Sequence, residues 1–549
     1  MRSPSFLSAN RWHLASGVVA LVWANLPTLT GYGAADLQTV FSGFFIFPQD
    51  GFSYLAKMQQ GAAGSWLFHL PFTTEAHPGA WLYPFYLTLG KATSALGLSM
   101  IGGYHLARLV SSVALLACAG RFLARFAVTQ RGRFLSWTMI LAGGGTDWLL
   151  SSLKPSYVAF TAVTPDVSIF SVLYGPPHVT AALALLLWIL PTVPDLFIAD
   201  RSLVASPCSH SGRRRWIKAW LLGLGGLVMS LIRPDYVPIL YGVLIAYWLS
   251  LALKRRQILG QEAALAGAIC LPAFPYALLV VATFRTNPAM AGWAEQNPLM
   301  TPPLDDLLAG IGLFLLPAVL GVVQDRWWHD DRRLLLVAWA AVLPLLLYSP
   351  LPLQRRLVGG VQVALAVPAG HWIDQHALPW LGKARWRTAV FGPLLASAAC
   401  LLFSYPLLFV WGAVEYVATR PETLFLTADE IAALDWLKTR PPGLVVMAAE
   451  DTGRYIPAYS RAIPVLGHPV ETLAVEEKRA DVSRFFAADT PAADRLAILN
   501  RYSAAVIWRG PRERRLGSFD PAILHGYLLG FEQGPIKVWI SSEEVHDGW

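Results

Sequence analysis

Asp50 stands in Phe47-Pro48-Gln49-Asp50-Gly51-Phe52-Ser53-Tyr54-Leu55-Ala56-Lys57-Met58, shortly after the first long apolar segment of the chain. A carboxylate at a membrane edge, in a loop rich in aromatics and Gly, costs solvation energy unless something pairs with it or uses it. Held there, it can take a proton from an incoming hydroxyl or amine. The same residues also read as a helix start with Asp50 as its cap. The loop continues through Gly61, Gly64, Trp66, Pro71, Glu75, His77 and Pro78. Glu75 and His77, in Thr-Thr-Glu-Ala-His-Pro-Gly-Ala, suit support of Asp50 or, with it, a divalent ion. A Glu-x-His pair equally suits ordinary loop hydrogen bonds.

A second group of residues fits anionic chemistry. Arg355 and Arg356 follow Ser349-Pro350-Leu351-Pro352-Leu353-Gln354 in a short turn between two apolar runs. Paired guanidinium groups match phosphate oxygens and stabilise charge developing on a leaving phosphate. Arg233, in Leu231-Ile232-Arg233-Pro234-Asp235-Tyr236, is a further cation of this kind. Its alternatives are a salt bridge with Asp235 or snorkelling to lipid headgroups. His178 opens a helix after Pro176-Pro177, as an anion contact or simply a cap.

The elements that must position these residues are mostly membrane spans. The chain has 549 residues, 55% of them hydrophobic and 14% charged, with mean hydropathy +0.46, which excludes an ordinary soluble domain. Its 22 Trp suit interfacial belts. Apolar runs long enough to cross lie near 12–30, 103–125, 134–150, 178–197, 216–232, 236–253, 262–284, 304–323, 334–350, 355–372 and 388–413. A twelfth run, 79–98, either crosses or lies in the interface. With 79–98 not crossing and the N-terminus inside, Arg125, Arg131, Arg213–Arg215, Lys254–Arg256, Arg332–Arg333 and Lys383–Arg387 all face the cytoplasm. If 79–98 does cross, an extra crossing within 151–177 restores the parity. The first run, behind Arg2 and Arg11, reads as a retained signal-anchor. The net charge of +8 then reflects orientation and contact with anionic lipids, not nucleic-acid binding. Cys118, Cys208, Cys270 and Cys400 have no metal-site or disulfide spacing.

Hydropathy falls after residue 413. A membrane domain over 1–413, with a first outer loop near 31–80, is expected to give way to a soluble α/β domain over 414–549, outside the membrane. Ala428–Lys438 has the spacing of an amphipathic helix, and 444–449, 504–508 and 536–540 read as strands. Segments 482–487 and 495–502 read as helices. Glu450, Asp451, Tyr455, His468 and Glu471 are scattered polar residues of structural character.

The order of one span, the loop carrying Pro-Gln-Asp-Gly-Phe-Ser-Tyr-Leu-Ala-Lys-Met, then Gly64-Ser-Trp-Leu, Pro71, Leu82-Tyr-Pro-Phe-Tyr-Leu and Tyr104-His-Leu-Ala-Arg-Leu-Val-Ser-Ser resembles the GT-C superfamily of integral-membrane glycosyltransferases. It is most similar to the bacterial branch of protein mannosyltransferases and aminoarabinose transferases. By architecture the resemblance covers roughly residues 10–410, and by motif about 40–115. It implies a polytopic α-helical protein of about 11–13 spans with juxtamembrane helices in the first outer loop, in a bacterial inner membrane. It also implies a polyprenyl-phosphate sugar donor, an envelope acceptor and Asp50 as catalytic base. Arg355, Arg356 and Arg233 would then face the donor phosphate, and Glu75, His77, Tyr54 and His178 the acceptor or Asp50 itself. The acid usually following the family's Asp is Gly51 here, and a phosphate is already a fair leaving group, so no cofactor is required. A divalent cation on Asp50, Glu75 and His77 stays open. Two other classes stay open as well: an inactive GT-C-like envelope scaffold, and a transporter of lipid-linked precursors.

Overall fold

A computed structural model describes residues 11–154, 157, 159–198 and 210–547; Arg2, Arg201 and Cys208 lie outside them. The chain forms two compact units. The membrane unit comprises Met1–Leu26, Leu106–Leu279 and Leu299–Gly412, and the α/β unit comprises Pro27–His105, Val280–Pro298 and Ala413–Trp549.

Each of the expected apolar runs carries a helix. Seven are long and apolar enough to cross a bilayer: Trp12–Ala34, Met100–Phe126, Pro177–Phe197, Gly212–Ile232, Pro234–Arg255, Leu304–Gln324 and Arg385–Ala418. The pair Gly260–Cys270 and Phe274–Thr286, bent by 56°, makes an eighth if counted as one span. Run 334–350 is a 14-residue helix, Leu334–Leu347. Run 355–372 becomes the buried helix Val361–Trp372, which continues through a π turn at Ile373–Ala377. Segment 79–98 holds only the 12-residue helix Pro84–Ala95, about 18 Å long at 1.5 Å per residue and too short for a 30 Å core. Segment 151–177 breaks into the short helices Phe160–Val163, Pro165–Val167 and Ile169–Tyr174, so the described residues there contain no further crossing.

Run 134–150 is not one helix. Helix Gln130–Ala142 stops at Gly143-Gly144-Gly145. Backbone freed inside an apolar unit needs partners, because no water supplies them. Gln362 donates to the carbonyls of Met139 (3.1 Å) and Gly143 (2.8 Å) and accepts from the Ile169 N–H (2.6 Å). The Gly144 N–H donates to the Leu402 carbonyl at 2.8 Å. The break is therefore satisfied by neighbouring helices.

The basic clusters converge at one end of the membrane unit. Arg125 and Arg332 both pair with Asp195, Lys254 and Arg255 with Asp331, and Arg131 with Asp374. Asp325 receives His371 and His376.

The α/β unit joins distant segments. Strand β1 (Thr39–Phe41) pairs antiparallel with β2 (Phe425–Thr427). The main sheet uses β3 (Val445–Met447), β4 (Ile463–Pro464), β5 (Val506–Arg509), β6 (Tyr527–Gln533) and β7 (Ile536–Ser541) in the order β4-β3-β5-β7-β6. Strand β3 runs parallel to both neighbours and β7 antiparallel to both. The amphipathic helix is found at Ala428–Lys438, opened by a capping box between Thr427 and Glu430. Phe52, Leu55 and Met58 of helix Pro48–Ala62 are buried in one core with Leu434, Val446, Tyr455, Val506 and Val538. The first loop and the C-terminal segment thus share a hydrophobic interior.

Helices Pro48–Ala62 and Pro84–Ala95 meet backbone to backbone. A Cβ on Gly61 would lie 2.1 Å from the Leu87 carbonyl oxygen, and one on Gly90 would lie 1.9 Å from that of Met58. Neither obstacle is a flexible side chain. Gly90→Ala is therefore expected to destabilise the α/β unit by about 1–3 kcal/mol. Thermal unfolding followed by Trp fluorescence in detergent checks this, and an unchanged midpoint contradicts the close crossing.

Candidate active site

Asp50 occupies the first turn of helix Pro48–Ala62, where a carboxylate meets the positive end of the helix dipole. It is not the cap. That position is Phe47, with φ 45° and ψ 54°, a left-handed conformation that a bulky residue keeps only when its surroundings enforce it. Gly51 has a local reason too, since a Cβ there would lie 2.5 Å from the Phe44 ring. An acid beside Asp50 does not fit this packing.

Helical spacing places Asp50, Ser53, Tyr54 and Lys57 on one face. The loop Gly467–Thr472, between β4 and helix Val475–Phe486, meets that face twice. Buried His468 accepts at Nδ1 from the N–H groups of Val470 (3.2 Å) and Glu471 (3.1 Å). With Nδ1 so engaged, the proton of the neutral ring sits on Nε2, which lies 3.5 Å from Asp50 Oδ1. The Asp50 side chain is 48% exposed and that of His468 2%, so the carboxylate alone is open to a substrate.

Two turns on, Lys57 is fully buried. Its Nζ lies 2.8 Å from Glu471 Oε1, donates to the Ser53 hydroxyl, and sits 4.4 Å from the centre of the Tyr83 ring. The Ser53 hydroxyl donates to the same Glu471 oxygen at 2.7 Å. Burial pushes the Glu471 carboxyl up, but the charge of Lys57 and the hydrogen bonds from Lys57 and Ser53 win and hold it below the usual carboxylate range.

The other loop candidates take separate partners. Glu75 accepts from Thr73 and from Lys478 Nζ (2.7 Å); opposing its burial, these contacts lower its carboxyl, while burial lowers the Lys478 ammonium. His77 Nε2 accepts from the Leu70 N–H at 3.2 Å. Tyr54 stacks on Tyr86 with ring centres 4.6 Å apart. Asp50, Glu75 and His77 are therefore not gathered into a metal site. Among the described residues, no three His, Cys, Asp or Glu side chains are placed to hold an ion.

The cationic candidates belong to the membrane unit. The Arg233 guanidinium is buried between Asp166 (2.7 Å) and Asp235 (3.0 Å), and the Tyr236 hydroxyl donates to Asp166 at 2.9 Å. Of the alternatives for this residue, the salt bridge with Asp235 is present, and Asp166 joins it. Arg355 and Arg356 lie in the 3-10 turn Gln354–Val358, with Arg356 exposed. Gln354 pins this turn, accepting from the Thr301 N–H (3.1 Å) and donating to the Ser349 carbonyl (2.5 Å). A Cβ on Gly359 would fall 2.7 Å from the Tyr236 hydroxyl, so the Arg355–Arg356 turn packs on the Arg233 cluster. His178 is the second residue of helix Pro177–Ile189.

In the sequence, His468 and Glu471 read only as scattered structural residues. Their His-x-x-Glu spacing in a loop carries no sign of the helix, some 400 positions earlier, that they meet. Lys57 was visible only as part of a motif.

The fold is shared with a solved oligosaccharyltransferase. The Archaeoglobus fulgidus oligosaccharyltransferase in its apo form aligns with TM-score 0.52 and 14% identity, over 92% of this chain and 70% of that one. The same enzyme tethered to an acceptor peptide containing the NVT sequon gives the same values. ArnT from Cupriavidus metallidurans bound to undecaprenyl phosphate aligns over 96% of this chain and 98% of that one, with TM-score 0.46 and 15% identity. No family model matches the chain, and no curated protein matches it. The protein is a polytopic helical membrane protein with a GT-C-like fold and a C-terminal sheet-containing domain.

Removing Glu471 leaves Lys57 buried and unpaired, so Glu471→Ala is expected to cost about 3–5 kcal/mol, whereas the apolar pair Lys57→Met with Glu471→Leu recovers most of that. Because the Glu471 carboxyl is lowered on folding, its contribution is present above the ordinary carboxyl value and lost as pH falls through the lowered one. Unfolding midpoints of wild type and the double variant between neutral and acid pH check both statements. A wild type no more acid-sensitive than the apolar pair contradicts them.

Proposed function

We propose that this protein is a membrane glycosyltransferase that moves a sugar from a polyprenyl-phosphate carrier to a hydroxyl or amine acceptor on the outer face of a bacterial inner membrane. The observation that carries the reading is the half-exposed Asp50 carboxylate at a helix start, backed by the buried His468 and open to an incoming group. The GT-C-like fold, shared with an oligosaccharyltransferase, supports the class.

In this reading the acceptor O–H or N–H gives its proton to an Asp50 oxygen as the acceptor atom bonds to the anomeric carbon. The bond from that carbon to the phosphate oxygen breaks, its electron pair leaves with the polyprenyl phosphate, and the anomeric configuration inverts. Arg355 and Arg356 stabilise the charge gathering on the phosphate. Arg233 already faces two carboxylates, so it shapes the turn behind them in preference to binding phosphate itself. Tyr54, Glu75, His77 and His178 are assigned to acceptor contacts or loop support. Burial of the lipid tail among the apolar helices supplies donor affinity, at about 0.8 kcal/mol per CH₂.

Transfer of radiolabel from undecaprenyl-phosphate-linked mannose, glucose and an aminopentose to cell envelope tests the assignment with purified protein. Wild type is expected to label the envelope and Asp50→Asn to lose at least about 10²-fold of the rate while unfolding at the same temperature. Label surviving in Asp50→Asn moves the base elsewhere, and no transfer by wild type favours the scaffold or transporter class. Arg356→Ala is expected to lower kcat by roughly 10²-fold. A normal kcat in that variant contradicts the phosphate role.

A further inference from the structure

Resting on the reading of Asp50 as base, we infer that His468 of the C-terminal α/β domain is its positioning residue, which makes that domain part of the catalytic apparatus and not an appended module. Three observations carry this. The imidazole is buried, and its Nδ1 is held by two backbone N–H groups, so neither the ring orientation nor the tautomer is free. Its Nε2 is buried with no hydrogen-bond partner among the described residues, and Asp50 Oδ1 lies 3.5 Å from it. The loop carrying it is fixed a second time, three residues on, where Glu471 takes Lys57 and Ser53 from the same helix face as Asp50.

His468 itself is closed to a substrate, so it acts through Asp50. A donor held behind one carboxylate oxygen leaves the other to accept the acceptor's proton and fixes where that oxygen points. Placement on this scale matters, because a reacting group displaced by 1 Å loses about 10²-fold in rate. The neighbouring groups facing this pair are Glu471, Lys57 and Ser53 on one side and the Phe72 ring, 5.3 Å from the imidazole, on the other.

Two substitutions separate positioning from folding. In His468→Asn the amide oxygen can still accept the backbone N–H groups that Nδ1 accepts, but no donor reaches Asp50. In His468→Gln an N–H returns near the position of Nε2. With the full-length protein in the envelope transfer assay, His468→Asn is expected to lower kcat by about 10²-fold with KM within twofold, and His468→Gln to regain about tenfold of that loss. Carbodiimide labelling of Asp50, read by mass spectrometry, should rise in His468→Asn and return toward wild type in His468→Gln. Asp50→Asn inactive with His468→Asn at wild-type kcat and labelling overturns this inference and leaves the base assignment standing. Asp50→Asn retaining activity overturns both. Equal losses in His468→Asn and His468→Gln, together with a lowered unfolding temperature, reduce His468 to a packing role.

Discussion

The buried pair of Lys57 and Glu471 is the interaction on which the α/β unit depends. A fully buried ammonium is tolerated only with a close counter-charge and further hydrogen bonds, and Lys57 has both, with aromatic faces around it. Replacing both residues by apolar ones would serve packing equally well. What the ion pair adds is register: it joins the face of helix Pro48–Ala62 to the loop Gly467–Thr472 at one alignment only. Asp50 and His468 come together because Lys57 and Glu471 do, two turns further along the same helix.

The two units solve different solvent problems. In the α/β unit the shared core of Phe52, Leu55, Met58 and the strand residues removes apolar surface from water, and close backbone approach at Gly61 and Gly90 packs the loop helices together. In the membrane unit the difficulty is polar. Gln362 closes the broken backbone at Gly143–Gly145, and Asp166 with Asp235 compensates Arg233, so both find their partners inside the protein. The exposed cation of the Arg355–Arg356 turn stands out because its neighbours are already neutralised.

Much of this was legible in the residues. Apolar runs located the helices because a 20-residue stretch without charge has few other solutions, and alternation of strand and helix signals from Thr427 onward located the sheet. Run 134–150 was misread because hydropathy does not register three consecutive glycines as a break. Strands β4 and β6 were missed since one has two residues and the other, Tyr527–Gln533, lies at a sheet edge without a clean alternation. The candidate site was legible in part. Asp50 and the Arg355–Arg356 pair drew attention through their surroundings, while His468, Glu471 and Lys478 act through contacts between positions more than 400 apart, for which a single sequence carries no signal.

The C-terminal segment holds the Asp50 helix through the contact of Glu471 with Lys57. Hydrogen exchange over residues 48–62 in full-length wild type and Glu471→Gln tests it most directly. Protection across this helix is expected to fall by about tenfold or more in the variant while residues 428–438 keep theirs. Unchanged protection over 48–62 would contradict it, and the helix would then be held by its apolar face alone.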